Sequence, residues 1–256
     1  MIRSGLASVA FRSLTAEQIV VLASHAELEG VEWGGDVHVP HGDLEKAFRV
    51  GTATREAGLA VASYGSYYKA GLSEPQGLSF QSVLDTTQAL GAPIIRVWAG
   101  GMSAAEVDEQ HRAAVTDDLQ RITALAEGAE IDIALEHHKN TLTDQAVSAV
   151  ELVQAVDAGN LRLYWQPAPE ADPATREESL GRFLPYLSYV HVFHSEMTDG
   201  KTRRLPLADG KELWREYMDI IYGTGRDHFA LIESVRDDST DQFLSDAETL
   251  RDLLAS

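Results

Sequence analysis

Two glutamates, a histidine and a glutamine stand at or near the ends of four consecutive short apolar runs. Glu136 closes Ile131-Asp-Ile-Ala-Leu-Glu136, and Gln166 follows Leu161-Arg-Leu-Tyr-Trp165. His191 lies in Ser188-Tyr-Val-His-Val-Phe193, and Glu233 closes His228-Phe-Ala-Leu-Ile-Glu233. Each run reads as a strand of period two. Ile131, Ile133 and Leu135 fall on one face, with Asp132, Ala134 and Glu136 on the other. Val190 and Val192 flank His191 in the same way. Neighbouring strands lie roughly 4.8 Å apart, so four such groups can converge on one point. Two carboxylates, an imidazole and an amide oxygen suit a divalent metal with positions left for water or substrate. The oxygen-rich set favours Mn²⁺ or Mg²⁺, with Co²⁺ or Zn²⁺ also open.

Such convergence requires a closed parallel sheet. A strand with an aliphatic face toward helices and a small or polar face toward a narrow interior suits a barrel. The chain alternates runs of that kind with helical ones. Strands are expected at Ser8–Phe11, Gly30–Trp33, Leu59–Tyr64, Pro93–Trp98, 131–136, Leu161–Tyr164, Ser188–Phe193 and His228–Glu233. Helices are expected near 16–28, 43–57, 79–90, 103–127, 143–157, 173–184, 211–222 and 240–254. Thr15 followed by Gln18 has the form of a capping box for the first. A long loop with Gly65, Tyr67, Tyr68, Lys69 and Gly71 follows the third strand, and a polar loop, 194–210, follows the seventh. Eight strand–helix pairs in this order give an α/β fold, a single (β/α)8 TIM barrel over 1–256, with chemistry at the carboxyl ends of its strands.

At 256 residues and 44% hydrophobic content the chain can bury one large core. A net charge of −19 argues against a duplex nucleic-acid or anionic-membrane partner. No run of eighteen apolar residues occurs, and the opening Met1–Phe11 reads as a first strand rather than a signal peptide. The absence of cysteine removes disulfides and thiolate ligands and fits a cytoplasmic protein. Gly34-Gly35 and Gly100-Gly101 read as tight turns, not phosphate loops, and no Gly-x-Ser-x-Gly elbow follows a strand.

The segments Leu135-Glu136-His137-His138, Tyr164-Trp165-Gln166-Pro167, Tyr189-Val190-His191-Val192 and Leu231-Ile232-Glu233, with Gly91–Gly100, carry a resemblance. The whole chain resembles the xylose-isomerase-like sugar (phosphate) isomerases and epimerases, ketose 3-epimerases included. The resemblance implies a metal site of Glu136, His191 and Glu233, with Gln166 standing where that family has Asp. It also implies proton transfer beside a carbonyl, the metal stabilising an enediolate. Glu136 and Glu233 are then the two catalytic bases, facing opposite sides of the reacting carbon. His138 matches a family histidine that orients a ligand or substrate oxygen, and Arg203 and Arg204 lie in the region of its substrate-binding arginine.

Trp33, Tyr64, Tyr67, Trp98 and Trp165 lie at strand ends or in the loops after them, where they either stack on a sugar or pack the barrel mouth. His38 is either structural or substrate-facing. The expected partner is a small-molecule sugar, and a homo-oligomer is open. A metal-dependent lyase that eliminates from a keto-sugar and a non-catalytic sugar-binding barrel are the alternatives. An abasic-site endonuclease is disfavoured by charge and by too few ligands for several metals.

Overall fold

The computed structural model describes residues 1–255. Its strands are β1 (Ile2–Ala7), β2 (Gly30–Gly34), β3 (Ala60–Lys69), β4 (Ile94–Trp98), β5 (Asp132–Glu136), β6 (Leu161–Trp165), β7 (Leu187–Val192), β8 (His194–Thr198), β9 (Lys201–Leu205) and β10 (His228–Ile232). All but β8 and β9 form a closed parallel barrel in the order β1-β10-β7-β6-β5-β4-β3-β2. Eight α-helices alternate with them: α1 (Ala16–His25), α2 (Leu44–Glu56), α3 (Phe80–Leu90), α4 (Glu109–Glu127), α5 (Ala146–Val156), α6 (Pro173–Phe183), α7 (Lys211–Tyr222) and α8 (Thr240–Leu254). This is the (β/α)8 barrel that the alternation of runs implied.

Local chemistry sets the helix starts. Thr15 and Gln18 form the capping box expected of them. Asp43, Ser79, Asp108, Asp172 and Ser239 each accept a bond from a first-turn amide of α2, α3, α4, α6 and α8. Each such cap stabilises its helix by about 1 kcal/mol.

Period two then sorts the strand residues into two layers. Ile133, Leu135, Val190 and Val192 join Ile19, Leu119, Leu152 and Leu250 in the core between barrel and helices. Ala62, Ile94, Ala134, Phe229 and Leu231 close the interior as a separate apolar cluster. The narrow interior depends on small residues opposite large ones, since a Cβ on Gly30 would come within 2.7 Å of the Phe229 ring. Beside this plug the interior turns polar, with Glu32, Ser63, Arg96, Glu136 and His191 all buried.

Four local expectations are corrected. The first strand is Ile2–Ala7, and Ser8–Phe11 is a 3₁₀ turn at its end. Phe11 is buried there edge-on against Phe243, so tertiary packing and not a strand accounts for that apolar run. β3 continues to Lys69 through what reads as loop, and α4 begins at Glu109 rather than near 103. The polar segment 194–210 contains a hairpin of β8 and β9 that turns at Asp199 and Gly200, both at positive φ. That dipeptide suits the two-residue hairpin turn.

Candidate active site at the carboxyl ends of the strands

Glu136, His191 and Glu233 come together at the carboxyl end of the barrel, with one ligand atom of each within 4.8 Å of the others. His191 Nδ1 lies 3.6 Å from Glu136 Oε1 and 3.4 Å from Glu233 Oε2. Gln166 joins them, its Oε1 3.1 Å from the same Nδ1. Its other end donates from Nε2 to the His137 carbonyl at 2.9 Å, while His137 Nδ1 meets the Gln166 carbonyl at 2.8 Å. This reciprocal tie between the ends of β5 and β6 aims the amide oxygen at the centre. Gln166 both braces its loop and presents an oxygen.

The electrostatics suit a cation. Burial disfavours a charged His191, but Glu233 and Glu32 outweigh it and push the imidazole up to about 10. Glu32, Glu136 and Glu233 stand against one buried guanidinium, Arg96. Three carboxylates and one guanidinium leave two negative charges, which a divalent ion cancels with His191 neutral. The donors are mostly oxygen, as a hard ion prefers. The residues present therefore fit a divalent metal.

The two expected bases are not equivalent. Burial raises Glu136, but Arg96 together with His191 more than offsets it and holds the carboxyl at about 2. Glu136 Oε2 accepts from Arg96 Nη1 and from Trp98 Nε1. Glu233 is pushed above the usual carboxylate range by burial and by the charge of Glu136, against the pull of His191. Its side chain keeps 21% exposure, toward the cavity beside it. Glu233 is thus the better proton acceptor.

Two adjoining cavities open over these groups, of about 240 and 370 Å³, sharing His138, Arg204, Glu233 and Ser234. Trp98 lines the second and stacks on the His138 ring, centroids 4.6 Å apart. His138 Nδ1 meets the Lys139 carbonyl at 2.8 Å, so that nitrogen carries the hydrogen and Nε2 is left as an acceptor. Arg204 is tethered to Asp238 at the rim.

Other expected positions lie elsewhere. Arg203 is exposed and lines neither cavity, because consecutive residues on β9 project to opposite faces. Tyr64 is buried in the outer core, its hydroxyl bonded to the Val39 carbonyl and His41. A register shift between β2 and β3 pairs Glu32 with Ser63 and turns Tyr64 outward. His38 is buried against Trp33, with Nε2 on the Leu14 carbonyl, so it is structural. Trp33 and Trp165 likewise pack outside the barrel. Tyr67 reaches the larger cavity from a left-handed backbone conformation, its ring edge-on to Trp98.

The residues that sequence reading passed over are Glu32, Ser63, Arg96 and Tyr164. They form one buried network: Arg96 Nε to Glu32 at 3.0 Å, and Ser63 and Tyr164 hydroxyls to Glu32, each at 2.7 Å. Gly65 makes room for it, since a Cβ there would meet Arg96 Nη2 at 2.6 Å. The signal was present: Glu32 sits between Val31 and Trp33, and Arg96 between Ile95 and Val97. A charge whose neighbours face the helices must face the interior.

A family model described as xylose isomerase-like TIM barrel matches residues 20–253. The chain belongs to this family. The 3-dehydroshikimate dehydratase of Bacillus anthracis is 24% identical over 257 residues, 89% of each chain. A solved probable 3-DHS dehydratase from the same organism gives a TM-score of 0.78 at 21% identity, covering 98% of this chain and 99% of the other. D-allulose 3-epimerase from Methylomonas sp. gives 0.72 at 15% identity over 98% of both. A Mycobacterium smegmatis member of the family in complex with magnesium gives 0.68 at 16% identity, over 99% and 97%. Among the described residues no helix is long and apolar enough to cross a membrane.

Proposed function

We propose that this barrel is a divalent-metal-dependent enzyme that moves a proton at a carbon beside the carbonyl of a small polyhydroxylated ketone, as an isomerase or epimerase of a sugar. The observation that carries this reading is the convergence of Glu136, His191 and Glu233 under one cavity, with the two carboxylates held at different basicity. Glu136, Gln166, His191 and Glu233 would hold the ion, Mn²⁺ being the first choice for this donor set. When bound, the ion supplies positive charge where negative charge develops on the substrate.

The chain's own groups do the rest. Glu233, open to the cavity, takes the proton from carbon. Glu136 rests ionised under Arg96 and Trp98, its other oxygen toward the centre on the opposite face. For epimerisation it would first take up a proton from solvent and then give it to carbon, while Glu233 releases the proton it removed to solvent. His138 Nε2 and Arg204 face the cavity and orient substrate oxygens, and Trp98 covers an apolar edge. Positioned acid–base groups of this kind contribute roughly 10²–10⁴ in rate.

A lyase is the second reading, favoured by the dehydratase among the relatives. It shares the first step. The inequality of Glu136 and Glu233 suits it too, since elimination needs one base and a donor to the leaving hydroxyl.

Metal-loaded protein in D₂O, offered ketohexoses and separately 3-dehydroshikimate, distinguishes these outcomes by NMR. Carbon-bound deuterium in a ketose or its epimer supports the first reading. Loss of water with a new aromatic product supports the second. Neither exchange nor elimination on either class would leave a binding barrel without chemistry.

Gln166→Asp tests the amide's place. It adds a negative charge toward the ion but deletes the donor to the His137 carbonyl. We expect tighter Mn²⁺ binding together with a metal-free protein destabilised by roughly 1–3 kcal/mol. Mn²⁺ titration beside thermal melts reads both. A lowered melting temperature with unchanged Mn²⁺ affinity would remove Gln166 from the ligand set.

A further inference from the structure

Glu32 is 1% exposed and bonds to groups from four other strands. Its Oε2 accepts from Ser63 of β3 and Tyr164 of β6, each at 2.7 Å. Its Oε1 accepts from Arg96 Nε of β4 at 3.0 Å and faces His191 Nε2 of β7 at 3.3 Å. Neither active-site cavity reaches it, so it is not placed to touch a substrate. Two hydroxyls occupy one carboxylate oxygen, which fixes the rotamer and reserves the other for Arg96 and the imidazole.

Carboxylates face both nitrogens of His191, and an ion held by Glu136 and Glu233 would displace the hydrogen on their side, leaving the one on Nε2 against Glu32. In the neutral ring this puts the lone pair on the opposite nitrogen. For His191 that nitrogen is Nδ1, the atom that looks toward Gln166, Glu136 and Glu233. We infer that Glu32 is the positioning residue of the metal site. It holds His191 as the Nε2–H tautomer and turns the Nδ1 lone pair to the ion from across the barrel. A carboxylate behind a ligating histidine fixes ring orientation and raises ligand basicity. This assignment rests on the reading of Glu136, His191 and Glu233 as a metal site. It adds a residue from β2, a strand that contributes none of the four proposed ligands.

The test is Mn²⁺ titration of wild type and Glu32→Gln, with ¹⁵N spectra of the histidines in the Mg²⁺-loaded proteins. Glu32→Gln should weaken Mn²⁺ roughly 10–100-fold and shift the His191 ring-nitrogen signals away from a fixed Nε2–H form. Tyr164→Phe, which removes one bond to Glu32 and keeps the ring, should weaken Mn²⁺ in the same direction by a smaller factor. A merely structural Glu32 lowers the melting temperature of the metal-free variants and leaves both readouts where they were; that result overturns the assignment. If Glu32→Gln does not fold, Tyr164→Phe and Ser63→Ala carry the same two readouts, and unchanged values in both overturn it equally. A wild type that takes up no Mn²⁺ sinks the site itself, a failure visible before any variant is compared.

Discussion

Glu233→Gln is expected to give a folded barrel that has lost roughly 10² or more in turnover. The substitution keeps the shape of the side chain and one oxygen toward the centre, but an amide cannot accept a proton at neutral pH. In the proposed reaction Glu233 is the acceptor because its surroundings disfavour its charged form, whereas Arg96 and His191 stabilise that of Glu136. The loss should appear in kcat more than in KM, since the group acts on the reacting proton. Steady-state kinetics on the substrate identified in D₂O, with a melt to verify folding, checks this. Turnover near the wild-type value would move the base elsewhere, with His138 the next acceptor at the cavity.

Arg96→Leu is expected to have the largest effect on stability. Arg96 is 1% exposed and pairs with both Glu32 and Glu136, themselves buried. Removing it leaves two desolvated carboxylates without their cation. Breaking a buried pair from one side typically costs 3–5 kcal/mol, about what is expected here. At roughly 2–4 °C of melting temperature per kcal/mol for a chain of this size, thermal unfolding of metal-free protein detects it readily. Glu32→Gln added to Arg96→Leu should recover part of the loss, since it removes one stranded charge. Independent, additive losses in the double variant would show that the two residues do not interact as the geometry requires.

The fold and the convergence of Glu136, His191 and Glu233 were legible because strand ends in a barrel obey period two. Glu136, His191 and Glu233 each follow from the parity of their own strand, and so does Arg96, which lay in view inside the fourth strand. Tyr64 was not legible in this way. The register shift that pairs Glu32 with Ser63 breaks the alternation of β3, so that Ala62 and Ser63 both face inward and Tyr64 faces out. Ser8–Phe11 misleads for a different reason, since the short apolar run Val9-Ala10-Phe11 looks alike whether a strand or a packed turn contains it. The hairpin at Asp199-Gly200 was readable from its turn dipeptide, but polar strands outside the main sheet lack an apolar face to announce them. His38 and Arg203 depend on which side of a loop or hairpin meets the cavity. Only tertiary packing decides that.

The most direct test of the account is solvent-deuterium exchange into substrate by metal-stripped protein titrated with Mn²⁺. The account predicts no exchange without metal, and recovery that saturates near about one equivalent of bound ion. Undiminished exchange in the stripped protein, with Mn²⁺ adding nothing, would contradict it.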